Sequence, residues 1–172
     1  MTPTILILLR IVHVLATLFW AGTVLLNALF VLPSVRAAGP AGGAVMRQLT
    51  QVRQLPLWLT AASWLALVSG LLLYWRASMG FMPAWMASPQ GLAFGIGGLM
   101  TIGVMASGQL VNAPAARRLG ALGAQVQQAG GPPAPDVAAE MGRLQARLLR
   151  ATQWHAVLLG LVAALMAAAR YL

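Results

Sequence analysis

A chain of 172 residues that is 60% hydrophobic and 8% charged carries far more apolar surface than a soluble domain of that size can bury, which excludes an ordinary water-soluble globule. Its formal charge of +9 comes from eleven basic residues, all of them arginine and mostly set between apolar runs where they orient membrane helices, so the expected partner is the lipid bilayer and not nucleic acid. Without Cys there is no disulfide, thiolate metal site or thiol nucleophile, and proton or metal chemistry is left to His13, His155, Asp136 and Glu140.

The first apolar run, Ile5 to Leu32, is too long for a signal-peptide core and lacks a convincing small-residue cleavage site, so it reads as a mature helix. A helix needs roughly 20 apolar residues to cross the hydrocarbon. The first span is expected over residues 4–32, with Pro33 as its stop. Met46 to Leu57 then carries Arg47 and Arg53 among apolar residues, the pattern of a short interfacial helix or of a continuation of the second span. That second span covers residues 56–75 and ends in the interfacial pair Tyr74 and Trp75, followed by Arg76. The third covers 91–112, with Pro114 as its stop. Residues 120–135, rich in Gly, Ala and Gln and containing Gly130-Gly131-Pro132-Pro133, read as a flexible linker. The fourth helix begins as a polar segment near Asp136 and crosses over residues 150–171.

The expected fold is therefore all-α, a single polytopic membrane domain built as a four-helix bundle with a short interfacial helix in its first connection. Arg36, Arg47, Arg53, Arg117, Arg118, Arg143, Arg147 and Arg150 lie on one face, against Arg10, Arg76 and Arg170 on the other. The positive-inside bias puts the first face in the cytoplasm and both termini outside, as in a protein of the bacterial inner membrane.

Ionisable groups inside a span are costly and mark function. Steps of three and four along the first helix collect Arg10, His13, Thr17, Trp20, Val24 and Asn27 on one face, and all but Val24 can hydrogen-bond. Such a stripe turns away from lipid, toward the other helices or a bound cofactor. The plain reading is that Arg10 snorkels, Trp20 packs and His13 bonds a neighbouring helix. On the functional reading His13 ligates haem iron and Arg10, a turn nearer the outer surface, pairs with a propionate. His155, in Gln153-Trp154-His155, is the second candidate. Because the first and fourth helices run antiparallel, the two imidazoles are expected at heights about 15–20 Å apart, too far to share one iron.

The third helix holds Gly91, Gly95, Gly97, Gly98, Gly103 and Gly108, which favour close helix packing and equally leave room for a flat macrocycle; Met100 and Met105 there are possible sixth ligands. In the connection after the second span, Met79, Met82 and Met86 form a soft donor set of the kind that suits Cu(I), unless they simply rest among headgroups. Hydrolytic machinery is not evident, since no Ser sits beside a His–acid pair, and no phosphate-binding Gly-Lys motif occurs.

The stretch Arg10-Ile-Val-His13-Val-Leu-Ala-Thr-Leu-Phe-Trp20-Ala-Gly22, followed by Phe30-Val-Leu-Pro33, resembles the first helix of a group of small membrane proteins that includes the HemJ-type protoporphyrinogen oxidases and the membrane domain of the copper-resistance D proteins. The shared element is a His, a Trp seven residues later, then Ala-Gly, and it covers about 30 residues closely. The resemblance implies haem b held by the first-helix His and an oxidoreductase acting on a porphyrinogen, or, from the copper-resistance relatives, passage of copper across the membrane. The chain departs from the HemJ type in having no Lys and no Asn-Glu-Pro before its last span. Three functions follow as expectations: a haem protein exchanging electrons with a redox partner or quinone, a copper-handling protein, or a structural subunit that associates with itself or with other chains.

Overall fold

Four apolar helices with polar residues confined to their ends and inner stripes have one stable arrangement in lipid, a bundle whose backbone bonds close within each helix. The computed structural model describes residues 1–172, apart from the side chain of Pro40, and is 89% helical with no strand among the described residues. Helix α1 is Pro3–Ala37, α3 is Leu55–Ala77, α5 is Pro89–Ala129 and α6 is Pro135–Tyr171; each is long and apolar enough to cross a membrane. Between them lie a short α2, Pro40–Arg47, and a single turn, α4, Pro83–Met86. The protein is thus an all-α, multi-pass membrane bundle with both termini on one face. Helices adjacent in sequence pack antiparallel, and α6 closes back onto α1.

Small residues line the interior. Ala16, Trp20, Ala62, Ala66, Val104, Met105 and Leu159 form the central cluster, while Leu18, Leu99, Leu110 and Trp154 point outward and are more than half exposed. This inversion of a soluble core follows from a solvent as apolar as leucine, in which close backbone approach and interhelical hydrogen bonds hold the helices together. A Cβ on Gly97 would lie 3.1 Å from Met166 Cε, and one on Gly95 would lie 3.2 Å from Tyr74 Oη, so both glycines admit a neighbour's side chain.

Two expected stops are corrected. Pro33 and Pro114 do not end their helices, because each is preceded by a π-turn: Asn27–Val31 in α1 and Gly108–Asn112 in α5. The Leu32 N–H bonds the Asn27 carbonyl and the Ala113 N–H bonds the Gly108 carbonyl, five residues back in each case. This widened ring absorbs the bulk and the missing N–H of a proline that would break a regular α-helix.

The expected linker 120–135 is also largely helical. It continues α5 to Ala129, where Gly130 (φ +64°) provides the left-handed C-terminal residue, so only residues 130–134 connect the two helices. Leu122 is buried at 2% exposure, and that burial offsets the weak helix propensity of Gly120 and Gly123. The short helix of the first connection runs over 40–52 and is separated from α3 by Gln54, itself left-handed at φ 51°. It therefore starts earlier than Met46 and does not continue into α3.

Candidate functional site

On α1, Ile11, Val12, Val14, Leu15, Leu18 and Phe19 are exposed, whereas Trp20 is buried and His13, Thr17, Val24 and Asn27 are half-buried. From His13 to Asn27 the polar stripe thus faces the bundle and the apolar residues between its members face lipid, as a 3.6-residue period requires, whereas Arg10 at its outer end is exposed.

His13 crosses from α1 to α3. Its Nδ1 lies 2.9 Å from the Ala66 carbonyl oxygen and 3.2 Å from Ser69 Oγ. A carbonyl only accepts, and the Ser69 hydroxyl donates its hydrogen to the Leu65 carbonyl, so Nδ1 carries the ring proton and donates to both oxygens. Nε2 keeps its lone pair, and no hydrogen-bond partner for it occurs among the described residues. The ring rests on Gly70, where a Cβ would come within 2.8 Å of His13 Cε1.

His155 makes the corresponding crossing from α6 to α5. Its Nε2 lies 3.0 Å from Ser107 Oγ, and its Cε1 would be 4.0 Å from a Cβ on Gly108. Each imidazole is therefore received by a Ser-Gly pair, Ser69-Gly70 or Ser107-Gly108. The sequence reading did not link either pair to its His; the available signal was a repeated Ser-Gly step inside apolar helices that otherwise hold few hydroxyls. Ser69 lies 8 residues from the end of α3 and Ser107 lies 18 residues from the start of α5 at the same face. At 1.5 Å per residue the imidazoles sit about 15 Å apart in height. The bundle does not bring them together, and Trp20, Met105 and Leu159 belong to the packed cluster at its centre.

Arg10 meets a residue that the sequence offered only as an orientation signal. It lines a cleft of about 410 Å³ with Leu6, Ile7, Leu73 and Arg76, between the ends of α1 and α3 at the face that carries the termini. Asn27 begins the π-turn of α1, accepting from the Leu32 N–H through its carbonyl. Thr17 Oγ1 and Gln109 Nε2 are buried with no hydrogen-bond partner among the described residues.

The three methionines lie in and around the connection between α3 and α5. Met79 lines a second cleft at this face with Met1, Trp75 and Arg76. Met82 precedes the single turn of α4 and Met86 ends it, with the Met86 N–H donating to the Met82 carbonyl. The loop itself is tightly built. Buried Ser78 accepts from the Phe81 N–H at 2.9 Å, and the Tyr74 ring packs edge-on against Trp85 at 5.4 Å. Among the described residues no three His, Asp or Glu side chains cluster to hold a metal ion. Met105 is buried in the central cluster and Met100 is half-buried on the same helix.

Comparison with family models, curated proteins and solved structures gives no match to this chain.

Proposed function

We propose that the protein is a b-type haem protein of the bacterial inner membrane, its arginine-rich face in the cytoplasm, in which His13 would hold the iron and electrons would be exchanged with a partner protein or quinone. The observation that carries this reading is the His13 Nδ1 contact to the Ala66 carbonyl. Histidines that bind metals characteristically donate the other ring N–H to a carbonyl or carboxylate, which fixes the tautomer, orients the ring and raises the basicity of the ligating nitrogen. Ser69 adds a second acceptor at 3.2 Å and Gly70 leaves the ring its place on α3. The donor chemistry therefore fits a haem, with Arg10, one turn away on α1, as the group to meet a carboxylate. The fit has a spatial condition: the centre of the bundle is filled by Trp20, Met105 and Leu159, so the macrocycle cannot lie there. Bound haem would supply one-electron chemistry at iron.

The test is an absorption spectrum of detergent-purified protein expressed with adequate haem, oxidised and then dithionite-reduced. A Soret band that His13→Ala abolishes or shifts, and His155→Ala leaves in place, is the expected result. Protein that folds yet shows no Soret band sinks the reading.

A further inference from the structure

We infer that the cleft between α1 and α3 at the terminal face binds the phosphate of an anionic phospholipid, with the acyl chains lying along Leu6, Ile7 and Leu73. Arg10 and Arg76 come from different helices yet line the same space of about 410 Å³, and the remaining wall is apolar. Two arginines lining one cleft concentrate positive charge there, which a bound anion would offset. Neither acidic side chain of the protein supplies one. Its two acids are Asp136 and Glu140, at the start of α6 on the opposite face, and Glu140 is bonded to Arg118.

The cleft sits where α3 ends at Ala77 and α1 begins at Pro3, the level at which a helix meets lipid headgroups. Phosphate accepts paired N–H bonds from guanidinium, which matches the planar fork of each arginine. Helix-lined basic pockets beside apolar walls take lipid headgroups for this reason. A free phosphate would satisfy the two charges but leave the apolar wall uncovered, whereas a phospholipid satisfies both. The inference stands on the cleft alone and is independent of the haem reading, although a haem carboxylate would compete for Arg10.

The full chain is extracted from vesicles of mixed phosphatidylglycerol and phosphatidylcholine, and retained lipid is read by native mass spectrometry. The expected result is retention of phosphatidylglycerol over phosphatidylcholine, falling by at least about tenfold in the Arg10→Gln/Arg76→Gln double variant, since each of the two lost charge-assisted contacts is on that scale. Arg170→Gln, at the same face but outside the cleft, should retain lipid as the unaltered chain does. Circular dichroism confirms that the double variant is folded. Equal retention of the two lipids, retention unchanged in the double variant, or displacement by inorganic phosphate alone would each overturn the assignment. So would loss of a Soret band in the double variant with lipid retention intact, which would make the cleft a carboxylate site for haem.

Discussion

At the scale of single residues, the imidazole of His13 depends on what its neighbour lacks. A methyl group on Gly70 would sit 2.8 Å from His13 Cε1, so Gly70→Ala must push the ring away and break its bond to the Ala66 carbonyl. The expected cost is about 1–3 kcal/mol, the usual range for overpacking a fitted interior. Thermal unfolding in detergent measures it, with Gly98→Ala, which opens onto free space, as the variant expected to lose nothing. The site was only half legible in the sequence. Spacing alone put His13, Thr17, Trp20 and Asn27 on one inward face, because helical period is a local property. The receiving group lies 53 residues away, and no local pattern specifies which turn of a partner helix comes alongside. That Arg76 shares a cleft with Arg10 is hidden from the sequence for the same reason.

Individual helices show which local rules hold in this chain and which yield. The four spans could be read from hydropathy because length and apolar content are sufficient for crossing. Their ends could not be read from proline, since a π-turn ending two positions before Pro33 and Pro114 carries both helices on. Gly120 and Gly123 suggested a loop, but Leu122 between them is buried, and burial outweighs the propensity of two glycines. The break between α2 and α3 rests on Gln54, whose left-handed backbone costs a side-chain-bearing residue about 1 kcal/mol. Gln54→Gly should therefore raise the unfolding temperature slightly, whereas Gln54→Val, with a branched Cβ, should lower it; an effect of the opposite order would show that this corner is not left-handed in the membrane.

For the molecule as a whole, the recorded ion pair joins α5 to the polar beginning of α6, outside the membrane-crossing part of either helix. Arg118 Nε lies 2.9 Å from Glu140 Oε1, and the guanidinium holds the Glu140 carboxyl below the ordinary carboxylate range. A carboxyl that titrates lower in the folded hairpin than in the unfolded chain contributes at neutral pH, and the contribution fades as pH falls through that lowered value. Hydrogen exchange across residues 113–150 should therefore quicken on acidification, and Glu140→Gln should remove that dependence without altering exchange in α1 or α3. Both groups are open to water, so salt should weaken the effect in the same way. An acid-induced loosening that persists in Glu140→Gln would assign it elsewhere.

The long α5–α6 hairpin also sorts charge by height. If the hydrocarbon ends near Asn112 and Ala151, helical rise puts Arg143, Arg147 and Arg150 within about 12 Å of that boundary, but Glu140 about 16 Å and Asp136 about 22 Å beyond it. Screening in physiological salt has a length of roughly 8 Å. An anionic leaflet would thus meet guanidinium groups first, with both carboxylates held two or more screening lengths out, where their repulsion has decayed.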